Sequence, residues 1–124
     1  MPVCVHRTGR RDYRKLRVFE LADDLALLAY RVSESFPREE LYGLTAQMRR
    51  AAISVPSHIV EGCARDSQAD YLRLFYIALG SLRELHYQIR LSQRLGFVLN
   101  DDVSLIEPTI IETEKVLNGL IKSL

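Results

Sequence analysis

The sequence predicts an all-α protein: an antiparallel up-down four-helix bundle with a proline-kinked second helix. Three observations predict it. Apolar residues recur every three or four positions through four long segments of the 124-residue chain. The joints between those segments are short and carry proline, glycine, serine, asparagine or aspartate. No segment alternates apolar and polar residues as a half-buried strand does, and there is no repeat or low-complexity tract. Amphipathic helices joined by short loops pack best as antiparallel neighbours.

The elements follow in order. Residues 1–12 are expected to be a basic, flexible arm, and residues 13–124 the bundle domain. From Leu16, a stripe of Val18, Leu21, Ala22, Leu25, Leu28, Ala29, Val32 and Phe36 marks the first helix, with Arg17, Glu20, Asp24, Arg31 and Glu34 on its other face. Pro37 ends it, and FPREELYG makes the turn, with room for a helical turn of its own. The second helix is expected from about Leu44 to Ala64. Ser67 is a fitting N-cap for the third, with Asp70 three residues on. That helix runs to Gly96, a good C-cap. Asn100, Asp101 and Asp102 open the fourth, whose stripe is Val103, Ile106, Ile110, Leu117, Ile121 and Leu124. Pro108 is expected to end its first turn or bend it near its start.

Composition limits the function classes. Apolar residues are 48 %, enough for a core. Formal net charge is +1, so the molecule as a whole is not an electrostatic nucleic-acid binder. The charge is uneven, however. Arg7, Arg10, Arg11, Arg14, Lys15 and Arg17 face only Asp12 within the first 17 residues, which leaves the rest of the chain acidic. Cys4 and Cys63 make no disulfide framework, and a reducing cytoplasm is the expected compartment. The start, MPVCVHRTGRR, has no long apolar segment and does not read as a signal peptide. No apolar run approaches the roughly 20 residues that a membrane span needs.

The stretch QMRRAAISVPSHIVEG, residues 47–62, carries more than a core stripe. Leu44, Met48, Ala51, Ala52, Val55 and Ile59 form one apolar side. Ile53, Pro56 and Val60, with Cys63, widen it beyond what one bundle needs, so Ile53, Pro56 and Val60 are the candidate contact with a second subunit. The remaining arc is polar: Gln47, Arg50, Ser54, Ser57 or His58, Glu61 and Arg65. Ser81 and Glu84, with Asp70, Arg73 and Gln88, continue this seam on the third helix. A hairpin around residues 65 and 66 sets Glu84 opposite Gln47, within a turn of Arg50, and an Arg50–Glu84 interaction is expected. Pro56 removes one backbone hydrogen bond, frees the carbonyl of Ala52 and is expected to bend the helix, with Ser54 or Ser57 taking up the freed groups.

These residues also carry a resemblance. FPREELYGLTAQMRRAAISVPSHIVEGCAR followed by SQADYLRLFYIALGSLREL is similar to the four-helix-bundle family of proteins encoded by intervening sequences of bacterial 23S ribosomal RNA genes. The matching positions include Gln47, Arg49, Arg50, Ala51, Ser54, Pro56, Ile59, Glu61, Gly62, Arg65, Ser67, Ala78, Gly80, Ser81, Glu84 and Leu85. His58 departs from the asparagine usual in the family and Val60 from the alanine, and the arm before Asp12 is outside the pattern. The resemblance implies a closed ring of bundles, a homopentamer, with no established enzyme activity. The family in turn resembles the ring-shaped accessory proteins of diversity-generating retroelements, which work with nucleic acid and a reverse transcriptase.

No catalytic residue, metal site or cofactor is expected. Cys4 and His6 lack companion ligands, and His58 near Glu61 lacks a nucleophile and an oxyanion site. There is no HExxH, phosphate-binding glycine loop or nucleophile elbow. Nucleic-acid contact has more support. Tyr76, Arg83, Tyr87, Arg90 and Arg94 share one side of the third helix, and arginine interleaved with tyrosine suits phosphates and bases. The expected contact set is Arg7, Arg10, Arg11 and Arg14 of the arm, with Arg83, Arg90, Arg94 and Tyr87. The bland reading is a solvated face whose arginines are neutralised by the chain's own carboxylates. The expected partners are further copies of the chain and either RNA or DNA. The alternative is a scaffold that recruits another protein without touching nucleic acid.

Overall fold

The computed structural model describes residues 11–124. Arg7, Arg10, Cys4 and His6 lie outside the described residues. The order is α1 (Arg17–Ser33), α2 (Leu44–Cys63), α3 (Gln68–Arg94) and α4 (Asn100–Lys122), with single 3-10 turns at Tyr13–Lys15 and Arg38–Glu40. Each helix packs on its sequence neighbours and α4 closes back on α1, so diagonal helices do not meet. Cross-helix contacts give the direction. Arg17 reaches Glu112 and Arg31 reaches Asp102, so α1 and α4 are antiparallel. Arg83 reaches Glu114 and Arg90 reaches Glu107, so α3 and α4 are antiparallel as well. No described helix is long and apolar enough to cross a membrane.

The joints behave as their chemistry requires. The Ser67 hydroxyl accepts the Asp70 amide at 3.1 Å and starts α3. Gly96 ends it with φ at 75°, a conformation other residues rarely adopt. Without a side-chain cap at Gly43, α2 instead has the Glu40 carboxylate reaching forward to the Leu44 amide at 3.2 Å. At one end of the bundle the Ser35 hydroxyl donates to the Phe97 carbonyl and ties the α1–α2 and α3–α4 turns together. At the other end the Gln68 amide donates to the Leu124 carbonyl.

The core is one cluster. Leu25, Met48, Ile59, Phe75, Leu82, Ile89, Ile106 and Leu117 are wholly buried within it. The contact between α2 and α3 is the most extensive, and Gly62 permits it. A Cβ there would stand 3.0 Å from the Phe75 ring. One expectation for the prolines changes. α4 runs unbroken through Pro108 rather than ending its first turn there, because Pro108 lies where the preceding helix is already established from Asn100. α2 continues past Pro56, within the span read from the sequence. Neither expected serine reaches the Ala52 carbonyl: the Ser54 hydroxyl goes across to α3, and Ser57 makes no described hydrogen bond.

Candidate nucleic-acid interface and the polar groove of α2 and α3

Two open grooves run along α3. The first, about 540 Å³, lies between α2 and α3 and is lined by Gln47, Arg50, Ala51, Ile53, Ser54, His58, Ser81 and Glu84. It is the polar seam read from the sequence. Spacings of three and four on each helix bring one side chain per turn to the same trough. Its centre is hydrogen-bonded: Ser54 Oγ meets Ser81 Oγ at 2.8 Å across the helix pair. His58 Nδ1 lies 2.9 Å from Ser54 Oγ and 2.8 Å from the Ser54 carbonyl. A carbonyl only accepts, so Nδ1 donates to it. His58 therefore stays tied to its own helix one turn back.

The expected Arg50–Glu84 interaction is not made. Both side chains are exposed on the rim of the same groove and no ion pair joins them. Glu84 instead receives the Gln88 side-chain amide at 3.4 Å, and Gln88 is buried. Two long, solvated side chains gain little by closing on each other, which is why proximity here does not become a bond. Glu61 and Arg65 do pair, at 2.7 Å, on the exposed continuation of this face. Of the three residues expected to meet a second subunit, Ile53 is 42 % exposed, while Pro56 and Val60 are half-buried.

The second groove, about 550 Å³, lies between α3 and α4 and is lined by Arg83, His86, Tyr87, Arg90, Leu91, Arg94 and Glu114. All four residues of the expected contact set on α3 are therefore brought together. Tyr87 is 60 % exposed. Two of the arginines are held from α4: Arg83 by Glu114 at 3.4 Å and Arg90 by Glu107 at 3.4 Å. Glu107 also meets His86 Nε2 at 3.3 Å. Arg94, the last residue of α3, has no ion pair among the described residues.

The arm residues fall otherwise. The Arg11 amide donates to the Cys63 carbonyl at 2.9 Å, and its guanidinium lies over the Tyr71 ring, Cζ 3.7 Å from the centroid. Arg11 is thus part of the bundle's packing rather than a free contact. The Arg11 Nε and the Tyr71 hydroxyl are both buried without a hydrogen-bond partner among the described residues. Burial pushes the Tyr71 hydroxyl well above its ordinary range and the neighbouring Cys63 thiol up to about 11. Arg14 remains exposed but is folded onto Asp12, with Nε at 3.0 Å and Nη2 at 3.2 Å from the two carboxylate oxygens. That hydrogen bonding holds the Asp12 carboxyl below its ordinary range and raises Arg14. Sequence reasoning had no signal for the Arg11–Tyr71 stack, since its partners lie 60 positions apart.

Among the described residues no cluster of three metal-ligating side chains is present. What the described residues define is an all-α four-helix bundle with solvent-open grooves on either side of its third helix. The chain belongs to the 23S rRNA-intervening sequence protein family, whose model matches residues 14–119. Among solved structures it is similar to a protein with unknown function from the S23 ribosomal protein family of Bacteroides thetaiotaomicron VPI-5482, at 23 % identity. That alignment covers 85 % of this chain and 95 % of the other, with a TM-score of 0.77, a likeness of fold. No curated protein matches the chain.

Proposed function

We propose that this protein is a non-enzymatic, cytoplasmic, homo-oligomeric ring protein, a pentamer, that associates with RNA or DNA through its basic surface and N-terminal arm. The observation that carries the reading is the α3–α4 groove, where Arg94 has no ion pair and Tyr87 is exposed between Arg83 and Arg90. Arg7 and Arg10 add charge, and a ring would multiply each contact by the subunit number. The test is fluorescence anisotropy with single-stranded and structured RNA and duplex DNA, for the intact chain and one lacking residues 1–10. Binding that weakens without the arm supports the reading; absence of binding at low salt overturns it.

A second reading is a protein-binding scaffold. It is favoured by Leu41 and Tyr42, 46 % and 92 % exposed, on the turn held by Glu40 and Gly43. It predicts partner binding indifferent to loss of the arm.

A further inference from the structure

Six residues of α3 stand on one exposed ridge: Tyr76, Gly80, Arg83, Tyr87, Arg90 and Arg94. Their spacing alternates four and three, which keeps them in a single row along the helix. The tyrosines are 57 % and 60 % exposed, and neither hydroxyl is hydrogen-bonded to a described residue. They stand eleven positions apart, about 16 Å along the axis. Between them, apart from the adjoining turns of α3 itself, nothing described lies within 4 Å of where a Cβ on Gly80 would stand. A glycine inside a helix is costly relative to alanine. No neighbour within the described chain explains this one, whereas a ligand lying against the backbone would.

The charge beside the row is the second observation. On the α4 side Glu114 and Glu107 hold Arg83 and Arg90, and on the α2 side Glu84 stands exposed. Three arginines are therefore flanked by three carboxylates. A duplex laid on this ridge would bring two phosphate backbones, one along each acidic flank. It would also keep its base faces stacked inside, beyond reach of a tyrosine ring. A single strand brings one backbone, which can follow the arginine row, and free base faces.

We infer that the exposed α3 ridge is a track for single-stranded nucleic acid, with bases stacked on Tyr76 and Tyr87 and the intervening backbone passing over Gly80 toward Arg83, Arg90 and Arg94. This rests on the nucleic-acid reading above and names its substrate class. Because the flanking carboxylates cancel much of the charge, stacking carries the affinity. Counterion release is small, and the salt slope on a short strand has a magnitude of about 1 to 2.

The test is anisotropy with labelled oligo-uridine or oligo-thymidine of about eight nucleotides, a length in the range a stacking platform occupies, against a duplex of equal length. Tyr76→Ala and Tyr87→Ala should each weaken single-strand binding about tenfold, and Tyr→Phe at either position should restore it. Both side chains are exposed, so circular dichroism should show unchanged helicity. Duplex binding as tight as single-strand binding, or loss of binding in Arg94→Gln but in neither tyrosine variant, overturns the track while leaving the nucleic-acid reading in place. Failure of every nucleic acid to bind at low salt overturns both.

Discussion

At the foot of the bundle Arg11 lies flat over the wholly buried Tyr71, with its amide bonded to the end of α2. A desolvated guanidinium on an aromatic face contributes about 1–2 kcal/mol, so Arg11→Ala should lower the free energy of unfolding by that amount, seen as a lower denaturant midpoint. Arg14→Ala, which removes an exposed pair with Asp12, should leave it nearly unchanged. The same corner gives a pH dependence. Below pH 9, the ordinary value of the thiol, Cys63 is protonated in folded and unfolded chains alike and has no effect. As pH rises toward about 11 the unfolded chain loses the proton while the folded one keeps it. Stability is therefore full below about pH 9 and falls through that window, by about 1–2 kcal/mol for this group. Tyr71, also raised by burial, adds to the same decline. Thermal melts between pH 8 and 11 would show it, and Cys63→Ala should flatten the slope. One further side chain needs a new expectation. Glu84 is exposed and makes no ion pair with Arg50, so Glu84→Gln should leave the melting temperature unchanged.

Between elements, two glycines separate packing from its absence. Gly62 brings α2 against Phe75 of α3, and the Ala Cβ would meet the ring at 3.0 Å. Gly62→Ala should cost about 1–3 kcal/mol by urea unfolding, since a ring in a filled core has little room to yield. Gly80 faces open space, and Gly80→Ala should instead raise stability by about 0.5–1 kcal/mol. Opposite signs in one helix pair would confirm that α2–α3 packing is decided at Gly62. The helix caps at Ser67 and Gly96 were legible because each is a local event: an oxygen accepting a nearby amide, a backbone angle that suits glycine. Pro108 was less so, because a proline removes one hydrogen bond but does not determine whether the turns on either side hold without it.

For the whole molecule, assembly is the property to measure. Ile53 stays exposed on the face that the sequence marks as doubly apolar, with Pro56 and Val60 half-buried beside it. If this face meets a neighbouring copy, Ile53→Asp should reduce the mass seen by light scattering while helicity persists. Pro56→Ala should change the assembly too, because restoring the hydrogen bond to Ala52 favours a straighter α2. An unchanged mass in both variants would remove this face from the interface.

By itself the sequence determined the helix count, the order, the stripes that became the core, apart from Leu124, which lies exposed beyond the end of α4, and the polar seam along α2 and α3. Those properties follow from periodicity and local chemistry, which are written in consecutive residues. The grouping of Arg83, Tyr87, Arg90 and Arg94 was legible for the same reason, as all four lie on one helix. Only the tertiary structure decided which charges are free. It placed Glu114 and Glu107 against Arg83 and Arg90, withheld Glu84 from Arg50, and put Arg11 on Tyr71. Whether a side chain finds a partner depends on distances of a few ångströms between helices, set by how their side chains interlock, and no local pattern in the chain encodes them.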